Sequence, residues 1–386
     1  MAKILNSVNT RETMKNIPFF NYPALFEQRK DEYLNIVQDV LSRGAYIMQQ
    51  DLIDFENDLA KYLGVKHAIG VADGTMALLI SLMAAGIGEG DEVIAPSHTF
   101  VASAAAIHHS GAKPILADCQ EDHLIDPDSI SKLITSKTKA IMPVQLNGRV
   151  ADMDAINKIA TKHNLIIIED SCQALGAKYK DQFAGTFGLT GTFSFFPAKT
   201  LGCFGDGGAI VTNSDEVAEK IRMIRDHGRD PSDGKVKIFG FNSRLDNLQA
   251  AILGFKLKYY DEDVDRRRQI AALYHTHLNT VKQILLPPAP DSQVNHFDVF
   301  QNYEIEAQAR DELRDFLSQA GIGTILQWGG HTIHQYHELN LNSDLKYTEE
   351  MTKKFMLLPL HAMLNNEDVV YICQKINEFY DSKDNQ

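Results

Sequence analysis

Seven short runs rich in branched and apolar residues, each parted from the next by enough chain for a turn or a helix, occupy the first two thirds of this 386-residue sequence. They cover residues 67–72, 92–96, 114–118, 139–145, 165–170, 192–196 and 208–212. Runs this apolar suit strands buried on both faces, and strands that alternate with helices need crossover connections. The pattern therefore predicts an α/β fold: a mostly parallel seven-stranded sheet with helices on both faces. Residues 153–163 and 215–226 space their apolar side chains three and four apart and end near polar or glycine positions, as helices do. The large domain is expected to span residues 30–255. Residues 249–274 read as one long charged helix leaving that core, and a proline-bearing break follows at 286–290. A shorter strand and helix pattern then predicts a smaller C-terminal α/β domain over residues 256–386. Residues 1–29 are expected to pack on that domain or on a second copy of the chain.

In open sheets ligands collect beyond the carboxyl ends of the strands, and two chemically useful residues stand there. FSFFPAKTLGCFGDGGAI (193–210) sets Lys199 where an apolar strand gives out, after a proline and before four glycines. IIIEDSCQALGA (166–177) sets Asp170 at the end of a buried run. An amine able to form a Schiff base and a carboxylate able to keep a pyridine nitrogen protonated are the minimum for pyridoxal 5'-phosphate chemistry. A phosphate needs amides and hydroxyls, best supplied by a helix start. ADGTMALLISLMAAG (72–86) offers one, with Asp73 as cap, Gly74 leaving space and Thr75 adding a hydroxyl. Ser194 adds a second. Gln173 has the reach for a ring oxygen, and Phe100, in APSHTFVAS (95–103), can lie against the ring. Each of these residues also has a plain structural role: a helix cap, a strand serine, a turn carboxylate, a core phenylalanine. Their joint occurrence favours chemistry.

Composition removes several alternatives. With 51 acidic and 38 basic side chains the net charge is −13 and no basic run exists, so neither nucleic acid nor an anionic membrane is an expected partner. Four separated cysteines, Cys119, Cys172, Cys203 and Cys373, match neither a zinc site nor a disulfide framework and suit a reducing, cytoplasmic setting. No signal-like or membrane-length apolar stretch is seen. The glycine cluster GIGEGD (86–91) precedes a strand, which argues against a nicotinamide site, and no triphosphate loop is present. His331, His334 and His337 recur every third residue but lack a His-Glu-x-x-His pattern, so no metal is expected.

From about Tyr46 to Leu253 the chain resembles the DegT/DnrJ/StrS family of sugar aminotransferases, within the fold-type I pyridoxal phosphate enzymes. The lysine motif and FGFNSRLDNLQAAIL (239–253) carry the likeness. The resemblance implies a homodimer with shared active sites, Lys199 as the Schiff-base lysine, Asp170 on the pyridine nitrogen and Gln173 near the ring oxygen. It also implies Phe100 stacked on the ring, and Gly74, Thr75 and Ser194 around the phosphate. Asn242 would reach the phosphate from the neighbouring subunit, with Arg244 in the same entering loop. The implied activity is transamination of a nucleotide-linked keto-sugar, of the 3- or 4-keto-6-deoxyhexose type, with glutamate as donor, for an amino sugar of a surface polysaccharide such as lipopolysaccharide O-antigen. Lys199 argues against the family's dehydratases, which typically carry histidine there. A non-catalytic, cofactor-bound regulator is the remaining alternative. Where many members have His-Tyr-Pro, this chain has Gln327, Trp328 and Gly329, so its acceptor side is its own. Gln327, Trp328, His331, His334, Arg229 and Arg244 are the expected substrate contacts, with His227 beside them.

Overall fold

The computed structural model describes residues 15–341 and 343–384. All seven expected strands are present: β1 (His67–Val71), β2 (Glu92–Pro96), β3 (Lys113–Ala117), β4 (Thr138–Ile141), β5 (Ile166–Asp170), β6 (Thr190–Ser194) and β7 (Gly208–Thr212). They form one sheet in the order β1-β7-β6-β5-β4-β2-β3. Only β7 runs against its neighbours, pairing antiparallel with β1 and β6; the other pairs are parallel.

Side chains alternate between two cores, as a period of two requires. Ala68, Ile94, Ile167 and Val211 face one core, built with the helices Gln50–Leu63, Met153–His163 and Asn247–Leu257. Ile69, Val93, Ile168 and Ile210 face the opposite side. There the helix Gly74–Ala84 is apolar around its circumference because the sheet covers one flank and neighbouring helices cover the rest.

Three expectations need correction. The fourth strand ends at Ile141 instead of reaching residue 145, two residues before Pro143, which has no N–H for the ladder. The chain stays beside β5 all the same: Pro143 O accepts from Asp170 N at 3.0 Å, and Gln145 N donates to Asp170 O at 2.9 Å. The sixth strand runs from Thr190 to Ser194, so Phe196 lies beyond it. Residues 249–274 are two helices, Asn247–Leu257 and Tyr260–Leu278, parted at Lys258 and Tyr259. Asp261, Glu262 and Asp263 favour a new N-terminus there. Tyr260 is drawn into the large core, its hydroxyl donating to Leu175 O at 2.6 Å.

The second core has its own three-stranded antiparallel sheet, Ile284–Leu285, Tyr303–Ala307 and Phe355–Leu358, with the strand Tyr303–Ala307 central. The helix Tyr260–Leu278 serves both cores: Tyr260 and Val264 pack in the first, Ile270, Tyr274 and Leu278 in the second. Residues 1–14 of the N-terminal segment lie outside the described residues, whereas Ile17 packs in the second core and donates its N–H to Gly321 O at 2.8 Å. No helix among the described residues is long and apolar enough to cross a membrane.

Candidate active site

A cavity of about 450 Å³ opens at the carboxyl ends of β5 and β6, walled by the start of the Gly74–Ala84 helix and by the loop after β2. Gly74, Thr75, Phe100, Asp170, Gln173, Ser194, Lys199 and Trp328 all line it. Eight residues scattered over 255 positions of sequence thus meet at one place, and they include both members of the proposed catalytic pair.

The helix start is built for an anion. Asp73 caps the helix by accepting from Met76 N at 2.8 Å, and Gly74 and Thr75, whose amides have no intrahelical acceptor, both line the cavity. A Cβ on Gly74 would sit 2.9 Å from Ser194 Cβ and 3.0 Å from Cys172 Sγ, so only glycine lets the helix start, the β6 serine and Cys172 come this close. Gly74, Thr75 and Ser194 therefore form a cradle suited to a phosphate.

Asp170 is buried, and its carboxylate has two partners inside the protein: Ser103 Oγ donates to Oδ2 at 2.8 Å and Cys172 N donates to Oδ1 at 3.2 Å. Ser103 is in turn 2.9 Å from Thr99 Oγ1. Lys199 follows Pro197 in a turn closed by Lys199 N donating to Phe196 O at 2.8 Å. Burial lowers the pKa of its amine below the ordinary lysine value, and the nearby Cys172 and Asp170 only partly oppose this. The amine is accordingly easier to deprotonate, as a nucleophile and proton carrier requires. A buried carboxylate, a softened amine, an anion cradle and the half-exposed ring of Phe100 together fit pyridoxal phosphate.

The other candidates lie elsewhere. Gln327 is buried behind the cavity wall, donating to Asn147 Oδ1 at 2.8 Å and Glu304 Oε2 at 2.6 Å. His334 is buried with Nδ1 2.8 Å from Ser97 Oγ, and His331 packs on Tyr336; both line a separate surface cavity with His337. Arg229, Asn242 and His227 are exposed on the excursion between Asp226 and Asn242, and Arg244 pairs with Asp226 at 3.0 Å. None of these four lines the cavity of its own chain.

Sequence reasoning missed Ser103, which was in view inside the Phe100 segment but whose contact with Asp170 spans 67 positions. It also missed the trio His98, His123 and Glu304, whose donor atoms lie within 4.8 Å of one another among the described residues. These atoms are closed on each other by hydrogen bonds: His123 Nδ1 donates to Glu304 Oε1 at 2.6 Å and His98 Nε2 donates to it at 3.0 Å.

The sequence model of the DegT/DnrJ/EryC1/StrS aminotransferase family matches residues 27–377. A pleiotropic regulatory protein of Geobacillus stearothermophilus is 40% identical over 369 residues, covering 95% of this chain and 99% of that protein. The dTDP-3-amino-3,4,6-trideoxy-alpha-D-glucose transaminase of Streptomyces venezuelae is 37% identical over 383 residues, covering 98% and 100%. Among solved structures, S. venezuelae DesV in complex with a ketimine intermediate superposes with a TM-score of 0.90 at 36% identity, covering 94% of this chain and 98% of that one. This is a pyridoxal phosphate-dependent enzyme of sugar transamination. The chain belongs to the DegT/DnrJ/EryC1/StrS aminotransferase family.

Proposed function

We propose that this enzyme moves an amino group from glutamate to the 3-ketone of a nucleoside diphosphate-linked deoxyhexose, supplying an amino sugar for a surface polysaccharide. The observation that carries the reading is the shared cavity of Lys199 and Asp170. Pyridoxal phosphate, when bound, supplies an electron sink for the carbon that loses or gains a proton. Gly74, Thr75 and Ser194 would hold its phosphate, and Asp170, kept in place by Ser103, would hold its ring nitrogen cationic. Lys199 Nζ takes the proton from the donor carbon and later delivers one at the sugar carbon, work for which an amine with a lowered pKa is suited. The choice of the 3-position over the 4-position follows the 3-amino product in the name of the Streptomyces relative.

A homodimer is part of the same proposal. The excursion between Asp226 and Asn242 exposes Phe239 almost fully, at 97%, with Val236 at 65%. Such apolar surface beside Asn242, Arg229 and Arg244 is what a second copy would cover while these polar side chains reach its cavity. They would meet phosphate or a substrate carboxylate there.

The test is a two-stage absorbance experiment. Holoenzyme is converted to its amine form with glutamate, freed of excess donor, and offered nucleotide-linked 3-keto and 4-keto sugars in turn. Aldehyde absorbance is expected to return with 3-ketones. Return with 4-ketones alone would overturn the choice of position, and failure of glutamate to convert the enzyme would overturn the donor. Lys199→Ala is expected to bind cofactor without a covalent link and to lose turnover by at least about 10³-fold.

A further inference from the structure

Behind the cavity wall lies a chain of buried and half-buried amides that ends on one carboxylate. Glu304, on the strand Tyr303–Ala307, is 3% exposed, and a carboxylate can only accept. Its Oε1 accepts from His98 Nε2, His123 Nδ1 and, at 3.1 Å, Asn147 Nδ2; its Oε2 accepts from Gln327 Nε2. Both amides must therefore turn their NH2 groups toward Glu304. That choice leaves Asn147 Oδ1 facing away, where it accepts from Gln327 Nε2 at 2.8 Å and from Asn302 Nδ2 at 3.0 Å. The second N–H of Asn302 then reaches Gln173 Oε1 at 3.3 Å. Asn147 N, a donor only, reaches the same oxygen at 2.9 Å. The orientations of Gln327, Asn147 and Asn302 follow from the acceptor at the end of the series, whereas Gln173, which lines the cofactor cavity, is fixed by the backbone N–H of Asn147, a residue that Glu304 itself holds through its side chain.

Backbone geometry supports a built device. Asn147, with φ of 56°, and Trp328, next to Gln327 with φ of 50°, both occupy the left-handed region, which asparagine tolerates but a bulky side chain such as tryptophan rarely adopts. Asn147 itself and Gln327, the neighbour of Trp328, are both bonded to Glu304. A bound metal is a poor account of the same cluster: two of the four bonds to Glu304 come from amide NH2 groups, and His98 Nδ1 has no acceptor of the kind a metal-bound imidazole uses.

We propose that Glu304 is a positioning residue that locks the Gln173 amide with its oxygen turned into the protein and its NH2 turned toward the cofactor. The inference rests on the reading that Gln173 faces the ring oxygen of pyridoxal phosphate. A donor there withdraws the ring oxygen as an acceptor and lowers the pH at which the bound cofactor's visible absorption titrates.

The experiment compares wild type, Gln173→Ala, Glu304→Gln and the double variant. With pyridoxal phosphate bound, Gln173→Ala is expected to raise the absorption midpoint by about one pH unit and Glu304→Gln by about half a unit. In the Gln173→Ala background the Glu304→Gln shift should vanish, because one residue acts through the other. No shift from Glu304→Gln alone, or a shift that persists undiminished in the double variant, overturns the proposal. In cofactor-free protein the Gln173 side-chain NH2 resonances should move on Glu304→Gln, and unmoved resonances overturn it equally. If Gln173→Ala leaves the absorption unchanged, the placement of Gln173 at the ring is wrong, and the cofactor-free resonances decide on Glu304 by themselves. Should Glu304→Gln fail to fold, Asn302→Ala removes one of the two donors to Gln173 Oε1 with the carboxylate and the Asn147 N–H intact, and should give a smaller shift in the same direction together with displaced resonances; neither appearing overturns the proposal.

Discussion

Asp170 shows how little a catalytic carboxylate owes to its own sequence neighbours. Its backbone is bracketed by Pro143 and Gln145, and its side chain is held by Ser103 from the first turn of the helix Ala102–His109. A hydrogen bond to a charged group contributes about 1.5–3 kcal/mol, so Ser103 matters for how firmly Asp170 is aimed. Asp170→Asn is expected to lower kcat for transamination by at least about 10²-fold, since the charge that stabilises a cationic ring is gone. Ser103→Ala should cost roughly tenfold. The two losses should not multiply: in the Asp170→Asn background the serine change should add little, and a full further tenfold loss in steady-state kcat would show that Ser103 acts on its own.

Among the elements, the Gly74–Ala84 helix does most to place the site. Its apolar circumference sinks it into the molecule, and its capped first turn is thereby presented at the ends of β5 and β6. Gly74 is the point of closest approach. Gly74→Ala must push Ser194 or Cys172 aside, because its Cβ would lie within about 3 Å of both. The helix should survive, since alanine favours it. Cofactor affinity should fall tenfold or more, read by titrating pyridoxal phosphate into cofactor-free enzyme, while the far-ultraviolet dichroism stays as in wild type. An affinity within twofold of wild type would mean that the phosphate is held elsewhere.

At the scale of the molecule, the Glu304 cluster ties one core to the other. His98 and His123 come from loops at the edge of the large sheet, and Glu304 and Glu306 from the small one. His123 donates from both ring nitrogens to carboxylates, to Glu304 and at 3.2 Å to Glu306, and is therefore an imidazolium. Burial pulls its pKa down, but the two carboxylates outweigh burial and raise it to about 9. A raised histidine stabilises the fold fully below its unfolded value near 6.5, and that contribution is lost as pH climbs through about 9. Wild type should thus lose roughly 3 kcal/mol between these limits relative to His123→Gln, in which the pH dependence of the cofactor-free Tm should flatten. Parallel Tm profiles for the two proteins across that range would remove His123 from this role.

The sheet and the centre of the site were legible in the sequence because they depend on neighbours in the chain. Apolar runs end where a polar residue, a proline or a glycine stands, so the end of β5, and with it Asp170, could be read directly, and Lys199 is placed beyond β6 although the apolar run there overshoots the end of that strand by two residues. The capped helix at Gly74 is equally local. What the tertiary structure alone decided are contacts between ordinary residue types far apart in sequence: Ser103 on Asp170, Glu304 on Asn147 and Gln327, and the break at Tyr259 drawn by the burial of Tyr260. A serine, an asparagine or a glutamate carries no mark of its distant partner. Only when burial removes water must each polar group find an acceptor or a donor inside the protein, and that requirement, not any local pattern, settles which residues meet.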